Sequence, residues 1–310
     1  MSPVITVAGE ALIDLVIGAD GTVSAARGGA PYNTAIAAAR LGVDVEFLGT
    51  VSLDRFGRLL ADGLATDGVT IAAERVDVPT TLAAAEIDEH GAASYRFYID
   101  GTSAPALAGR VEDPTRSDVF FTGGLGLVLQ PMADTILDTV AILPAETMVV
   151  FDVNCRPKVV TDRSGYLDRV HRLFERADVV KVSDDDLRYL APDADTLDAA
   201  RDVLEAGPSA VLVTAGAATT SIVTAAGVES VPVPALSAPV VDSIGAGDTF
   251  GGGFLAWWTL SGLGRDDLEV ERLRAAVEAA HAAAGIVVTR RGADPPRRAD
   301  LPADWHRAAP

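Results

Sequence analysis

Short apolar runs alternate with helical patterns along most of this chain, and that alternation limits its fold more than any other feature. Apolar runs, each too short for a typical helix, lie at 4–8, 43–48, 119–122, 148–153, 179–182 and 210–214. Helical patterns fall between them, at 31–41, 54–65, 130–141, 165–177 and 196–206. Strands that are apolar along their whole length are typical of parallel sheets covered by helices on both faces. The pattern therefore predicts an α/β fold with a doubly wound, mostly parallel sheet in a single domain of residues 1–310.

Two segments, 11–27 and 80–101, interrupt this alternation. Each holds two extended runs around a turn, which is Gly18-Ala-Asp-Gly21 in the first and Glu89-His-Gly91 in the second. Such patterns are typical of β-hairpins. Two hairpins inserted in an α/β domain predict a small β-sheet lid over one end of the main sheet. Because an open lid has edges that can pair, a homodimer is a reasonable expectation.

The C-terminal part changes character. Residues 245–289 predict two long Ala-rich helices that are separated near Gly262-Leu-Gly264. The tail from Arg290 onward is rich in Pro and Arg, and we expect it to be irregular.

The charge balance excludes several classes of partner. The formal net charge is −19, so the surface repels nucleic acid and anionic membranes, and we expect neither as a partner.

The single cysteine, Cys155, allows no intrachain disulfide, and no apolar stretch is long enough to span a bilayer. The N-terminus has no basic region before its apolar run, so it predicts a first strand and a cytoplasmic protein. Any nucleotide site in such a chain must supply its own positive potential.

The segment most informative about chemistry is Val240-Val-Asp-Ser-Ile-Gly-Ala-Gly-Asp-Thr-Phe250, which leads into an apolar helix. Gly245, Ala246 and Gly247 have little or no side chain, so a phosphate can approach their backbone closely. If the helix begins here, its free N–H groups form an anion hole, and Asp248 stands beside it as a base for an attacking hydroxyl. The plainer reading makes the acids helix caps and the glycines a turn, but chance explains the whole string poorly.

Two other phosphate-binding motifs do not fit. Gly-Lys-Ser/Thr occurs nowhere in the chain, so there is no Walker A loop. The sequence Gly245-Ala-Gly247 lacks a third glycine at the dinucleotide spacing and lies near the C-terminus, so a nicotinamide-dependent oxidoreductase is a weak alternative.

The string that ends in Asp248 resembles the C-terminal signature of the ribokinase-like, or phosphofructokinase-B-type, carbohydrate kinases. A second stretch, Gly28-Gly-Ala-Pro-Tyr-Asn-Thr-Ala-Ile-Ala-Ala-Ala-Arg-Leu-Gly42, followed by Gly49-Thr-Val-Ser-x-Asp54-x-x-Gly57, resembles the family's N-terminal signature. The resemblance covers nearly the whole chain. It implies a parallel-sheet domain with a β-lid, an active site between them, and the transfer of phosphate from ATP to a sugar.

The resemblance also implies a sugar site. Asp14, Gly28, Gly29 and Asn33 match residues that bind sugar hydroxyls in the family, and a carboxylate and an amide supply the acceptors and donors that a polyol needs. Without the paired signatures, Asp14 is simply a hairpin acid and Asn33 a helix-start hydrogen-bonding group.

Two further segments bear on the sugar. In Asp152-x-Asn-x-Arg156, which resembles a fructokinase segment, Arg156 is expected to contact substrate or phosphate, and an ion pair with Asp152 is the alternative. In the lid stretch Tyr95-Arg-Phe-Tyr98, alternating residues can turn aromatic side chains or Arg96 towards the sugar, and we expect Tyr98 to face it. Ordinary packing within the lid is the alternative.

The implied nucleotide and metal contacts lie elsewhere. Ser183 and Asp186 occupy the place of the family's Asn-x-x-Glu element, which organises Mg²⁺ and phosphates, and they depart from it in residue type. Thr214 and Gly216 resemble a turn near the nucleotide, where Gly247 also contributes. Asp242 and Ile244 match a segment that often holds a monovalent cation, so potassium is a possible cofactor besides ATP and Mg²⁺.

The resulting hypothesis is a small-molecule kinase that favours a fructose-like ketose. Kinases of ribose, 2-keto-3-deoxygluconate or a nucleoside remain alternatives within the family. A non-catalytic sugar-sensing protein on the same fold is the alternative from another class, and the intact Asp248 segment argues against it.

Overall fold

The computed structural model describes residues 3–73, 75–87, 93–109 and 117–306. The first strands in chain order are β1 (Val4–Ala8), β2 (Leu12–Ile17), β3 (Val23–Gly28), β4 (Asp44–Leu48), β5 (Thr70–Ile71), β6 (Leu82–Ile87) and β7 (Ala93–Tyr98). The later strands are β8 (Val119–Gly123), β9 (Met148–Asp152), β10 (Val179–Ser183), β11 (Ala210–Thr214), β12 (Thr219–Thr224) and β13 (Gly227–Pro232). The helices are α1 (Ala30–Arg40), α2 (Arg55–Thr66), α3 (Met132–Ala141), α4 (Arg163–Phe174), α5 (Asp184–Leu190), α6 (Thr196–Glu205), α7 (Ala246–Leu260) and α8 (Val270–Val287).

Nine strands form the main sheet in the order β13-β12-β11-β10-β9-β8-β1-β4-β5. All neighbours from β11 to β5 pair in parallel, whereas β12 and β13 form an antiparallel hairpin at one edge. The chain winds outward from β1 in both directions, so the crossover direction reverses between β1 and β8. The predicted doubly wound parallel sheet is confirmed, and a crevice at such a reversal is the usual ligand site of open α/β sheets.

Four strands form a second, smaller sheet in the order β3-β2-β6-β7. The pairs β2–β3 and β6–β7 are antiparallel hairpins, and β2 joins β6 in parallel. These strands lie in the two segments that the sequence predicts to be hairpins. The predicted turn at Glu89-His-Gly91 falls outside the residues that the structure describes.

Helices cover both faces of the main sheet and enclose two hydrophobic clusters. One cluster packs α1, α2, α7 and α8 against the sheet, and the other packs α3, α4, α5 and α6 against the opposite face. Side chains alternate between the clusters along each strand, as Ile5 and Val7 do against Ala8 in β1. Within the described ranges, every helix is too short or too polar to cross a lipid bilayer.

The sequence prediction lacks the short strand β5, the β12–β13 hairpin and helix α5. The β12–β13 hairpin carries Thr and Ser on an edge, so its strands lack the continuous apolar runs of the central sheet. Helix α5 is short, and a capping box between Ser183 and Asp186 starts it directly from the end of β10.

Candidate active site

Four of the sequence-predicted site residues, Asp14, Asn33, Arg156 and Asp248, lie near one another beside the carboxyl ends of β1, β8 and β9. The crossover direction reverses between β1 and β8. Three chain segments reach this crevice from elsewhere: the start of α1, the start of α7 and the small sheet. The crevice therefore joins residues that lie more than two hundred positions apart in the chain.

A pair of glycines brings the small sheet close to the start of α1. A Cβ atom on Gly28 would lie 2.0 Å from Asp14 Oδ2, so any larger residue would displace this carboxylate from its present position. Gly29 has φ 107° and precedes α1, and a Cβ atom there would lie 2.5 Å from the backbone oxygen of Glu10. Burial raises the pKa of Asp14 to about 6, against the opposing influence of Arg156. The two glycines thus hold a half-buried carboxylate at the mouth of α1.

Helix α7 begins with an open turn of backbone. Gly245 has a left-handed φ of 77° and caps the helix without a side-chain hydrogen bond. The N–H of Ala246 donates to the Ser243 oxygen at 3.2 Å. The first-turn N–H groups of Gly247 and Asp248 have no intrahelical acceptor, and no described residue accepts from them. Among the described residues, the N–H groups of Gly245, Gly247 and Asp248 therefore remain available, and the anion hole expected at 245–247 stays a prediction.

The side chain of Asp248 connects the starts of α1 and α7. Asn33 Nδ2 donates to Asp248 Oδ2 at 2.8 Å, and Thr34 Oγ1 donates to the Asp248 backbone oxygen at 3.3 Å. Loss of solvent around this carboxyl raises its pKa to about 6, helped by the charge of Asp152 and opposed by Asn33, Lys181 and Arg156. Asp248 is thus ionised at neutral pH and is a better proton acceptor than an ordinary aspartate.

Glu10 lies buried beneath this site, with 3% of its surface exposed. Its Oε1 accepts from the Ala30 N–H and its Oε2 from the Leu125 N–H, both at 3.1 Å. Burial raises the pKa of Glu10 to about 8, although its backbone donors and Arg156 lower it. One carboxyl group therefore ties the start of α1 to the turn that follows β8.

Arg156 is exposed at the edge of the crevice. Its Nη1 donates to Asn154 Oδ1 at 2.6 Å and to the Cys155 oxygen at 3.0 Å, which directs the guanidinium along its own loop. It lowers the pKa of four carboxyl groups around the crevice: Glu10, Asp14, Asp152 and Asp248. The alternative ion pair with Asp152 is not formed, and Asp152 Oδ2 pairs with Lys181 instead.

Lys181 and Asp152 form a buried ion pair on neighbouring strands, with Lys181 Nζ 2.7 Å from Asp152 Oδ2. Burial raises the pKa of Asp152, although the neighbouring Lys181 opposes the shift. The sequence analysis assigned this lysine no role, although its place in a buried strand, two residues before Ser183, was a usable signal.

The expected nucleotide-site residues are less closely tied to the crevice. The Asp186 carboxylate accepts from the Ser183 N–H at 2.8 Å, from Ser183 Oγ at 2.7 Å and from the Cys155 N–H at 2.6 Å. These contacts give Ser183 and Asp186 a helix-capping role. Thr214 ends β11 and its hydroxyl lies 3.4 Å from the Val182 oxygen, and Gly216 follows with a left-handed φ of 54°.

The two residues expected near a monovalent cation lie just before α7. Asp242 Oδ1 accepts from the Ile244 N–H and Oδ2 from the Gly292 N–H, both at 2.9 Å. Ile244 is 51% exposed. Asp242 therefore links the loop before α7 to the loop after α8.

The register of the small sheet separates Tyr98 from Asp14. Asp14 pairs with Ala83, which pairs with Phe97, so these three side chains share one face. Tyr98 pairs with Leu82 on the other face and is 51% exposed. The aromatic residue on the same face as Asp14 is Phe97, which the sequence analysis did not single out.

Comparisons with known proteins bear on the family and the fold of this chain. The sequence model of the pfkB family carbohydrate kinases matches residues 4–300. A fructokinase of Rhizobium leguminosarum bv. trifolii is 33% identical over 80% of this chain and 77% of its own length. The crystal structure of a fructokinase from Xylella fastidiosa with bound ATP has a TM-score of 0.82 at 28% identity, with 94% of each chain covered. An aminoimidazole riboside kinase from Salmonella enterica, complexed with that riboside and an ATP analogue, has a TM-score of 0.81 at 27% identity over 94% of this chain and 95% of its own.

Proposed function

The chain belongs to the pfkB family of carbohydrate kinases, and we propose that it transfers the γ-phosphoryl group of ATP to a hydroxyl of a fructose-like ketose. The observation that carries this proposal is the start of α7. There the Asp248 carboxylate lies beside N–H groups that have no acceptor among the described residues, those of Gly245, Gly247 and Asp248. A helix start of this kind attracts a phosphate, and the adjacent carboxylate can take a proton from the attacking hydroxyl.

The proposed reaction is an in-line displacement. The sugar oxygen forms a bond to the γ-phosphorus, the bond from phosphorus to the β–γ bridging oxygen breaks, and its electron pair leaves with ADP. The hydroxyl proton passes to Asp248, whose raised pKa of about 6 suits a proton acceptor at neutral pH. The hydrogen bond from Asn33 fixes the orientation of this carboxylate. The amides of α7 stabilise the negative charge that grows on the phosphoryl oxygens.

The sugar is expected to bind between Asp14 and the start of α1. Gly28 and Gly29 leave space for close approach, and Asp14 and Asn33 offer hydrogen-bonding groups to the hydroxyls. The small sheet then acts as a lid formed by segments 11–27 and 80–101, and its closure excludes water during transfer. Phe97, on the Asp14 face of that sheet, is a better candidate for sugar contact than Tyr98.

A divalent cation in this site is expected to arrive with the nucleotide. Among the residues that the structure describes, no group of three or more Asp, Glu, His or Cys side chains could hold a metal. Mg²⁺ suits this donor set, because it keeps several waters and is usually bound through phosphates and one or two carboxylates. When bound, Mg²⁺ neutralises charge on the phosphate oxygens. Potassium near Asp242 and Ile244 belongs to the same proposal, as does a cytoplasmic location.

Fructose is the favoured sugar because fructokinases are among the relatives and structural neighbours described above. A riboside is the second candidate, since an aminoimidazole riboside kinase is similar over nearly the whole chain. An ATP-consumption assay with fructose, ribose, ribosides and sugar acids, with and without potassium, separates these candidates. Fructose should give the highest kcat/KM, and turnover of none of these acceptors would refute the kinase proposal.

The role of Asp248 is tested by Asp248→Asn. The amide keeps the shape of the side chain but cannot accept the proton, so kcat should fall by roughly 10³-fold or more while sugar affinity changes little. Asp202→Asn, on the exposed surface of α6, is the matched control and should retain full activity. Near-normal turnover of Asp248→Asn would remove Asp248 as the base.

A further inference from the structure

Lys181 is one of only two lysines in this strongly acidic chain, and it is buried. Lys181 and Asp152 are 8% and 2% exposed, and they stand opposite each other in the parallel pairing of β9 and β10. Removing two charges from water is costly, and a well-packed apolar pair often gives equal or greater stability. The position of this ion pair therefore calls for a reason other than stability.

The ammonium group of Lys181 faces the start of α7. A Cβ atom built on Gly247 would meet a single atom within 4 Å outside its own helix backbone, namely Lys181 Nζ at 3.7 Å. Lys181 Nζ therefore lies close to the start of α7, where the N–H of Gly247 also has no acceptor among the described residues. Both groups are donors, so together they suit an anion.

The Asp152 carboxylate, which pairs with Lys181, has one oxygen that accepts no hydrogen bond from the described residues. Asp152 Oδ2 receives Nζ at 2.7 Å, whereas Oδ1 is buried with no hydrogen-bond partner among the described residues. A purely structural pair usually satisfies such atoms, because an unpaired buried oxygen lowers the stability of the fold. The Lys181–Asp152 pair therefore holds Nζ near α7 although the unpaired oxygen lowers the stability of the fold.

We propose that Lys181 contacts the transferring phosphoryl group from the side opposite the α7 amides, and that Asp152 is the positioning residue that aims its ammonium group. This inference rests on the proposed kinase function and assigns one further catalytic residue to it. As the bond to the bridging oxygen breaks and that to the sugar oxygen forms, the ammonium charge stabilises the phosphoryl oxygens without giving up a proton. The absence of a side chain at Gly247 keeps the path from Nζ to the phosphate open.

Three variants separate this role from a structural one. Lys181→Met removes the charge and keeps the length, but it leaves Asp152 buried without a partner. Lys181→Met/Asp152→Asn removes both charges, so its thermal unfolding temperature should return towards that of the wild type. Lys158→Met, at the other lysine, which is exposed, is the matched control and should behave as the wild type does.

In the kinase assay, the double variant should lose about 100-fold or more in kcat, the size of effect seen when one donor to a developing charge is removed. The KM for the sugar should stay within about twofold of the wild-type value, because the lysine acts on the phosphoryl side. A double variant that recovers both its unfolding temperature and at least a third of wild-type kcat would show that the pair is only structural.

Nucleotide binding tests the inference independently of turnover. Calorimetry with a non-hydrolysable ATP analogue and with AMP compares ligands with and without the γ-phosphate. The double variant should bind the analogue at least tenfold more weakly than the wild type does and should bind AMP equally well. Equal affinity for the analogue in both proteins would overturn the role of Lys181, even if no sugar in the panel is phosphorylated. If the wild type is inactive with every sugar, that result contradicts the proposed function and leaves the binding test of Lys181 intact.

Discussion

At the scale of single residues, the titration of Asp248 sets the acid limit of activity. Loss of solvent raises its pKa from the ordinary 3.8 to about 6. Only the ionised carboxylate accepts a proton, so kcat/KM should fall about tenfold per pH unit below pH 6 and level off above it. An unperturbed aspartate would put this fall near pH 4. Steady-state kinetics from pH 4.5 to 8, with fructose as acceptor, measure the midpoint.

Asp14 has a similar pKa and must be separated from Asp248 in this profile. Asp14→Asn removes the second titrating group and should raise the KM for the sugar. The acid limb near pH 6 should remain in that variant if Asp248 is the base. If the fall in kcat/KM below pH 6 disappears in Asp14→Asn, that fall belongs to the titration of Asp14, and the prediction for Asp248 is wrong.

The positions of candidate site residues could be predicted from the sequence where the motif is local. The glycines at 28 and 29, and Asp248 beside its glycine-rich turn, lie in motifs of a few consecutive residues. The hydrogen bond between Asn33 and Asp248 spans 215 positions, and the Lys181–Asp152 pair depends on the alignment of two strands. Tyr98 and Phe97 could not be told apart, because a shift of one residue in register exchanges the faces of a strand.

At the scale of elements, the crossing of α1 and α7 aligns the two halves of the site. A Cβ atom on Gly252 would lie 2.5 Å from Ala37 Cβ and 2.8 Å from the Thr34 backbone oxygen. Gly252→Ala should therefore push the helices apart and lower the free energy of unfolding by about 1–3 kcal/mol. Because Asn33 and Thr34 both bond to Asp248, the displacement should also reduce kcat.

Gly251, the preceding residue of α7, provides a matched control. A Cβ atom there would meet Phe121 and Thr34 side-chain atoms at 3.7 Å, which is ordinary contact. Gly251→Ala should be neutral or stabilise the protein by up to about 1 kcal/mol, because alanine favours a helix over glycine. Chemical denaturation of both variants decides the point. Equal stabilities would show that the crossing is looser than this packing indicates.

Elements could be predicted wherever their apolar pattern was strong. The central strands and the helices between them match the sequence prediction to within a few residues at each end. The β12–β13 hairpin could not be predicted in the same way, because an edge strand needs no continuous apolar run. Helix α5 could not be separated from the strand before it, because its cap, Ser183, is also the last residue of β10.

At the scale of the whole molecule, the net charge of −19 opposes the binding of a nucleotide polyanion. In the candidate site, a few positive groups attract the phosphates at short range and oppose this repulsion: Arg156, Lys181 and the start of α7. The attraction of these groups acts on a nucleotide in direct contact with them. The repulsion from the negatively charged surface acts over longer distances, up to the screening length set by the salt concentration. The two fields therefore respond differently to ionic strength.

This difference predicts an unusual salt dependence for nucleotide capture. The screening length falls from about 30 Å at 0.01 M to about 8 Å at 0.15 M salt, so added salt removes the distant repulsion first. The association rate constant for ATP should therefore rise several-fold over this range, roughly 3–10-fold, instead of falling as it does for a site with an attractive surface. Stopped-flow mixing in tetramethylammonium chloride at constant potassium measures it, and the KM for the uncharged sugar, which should not change, is the control. A rate that falls with salt would mean that the positive potential of the crevice extends beyond the protein surface and outweighs the remaining charge.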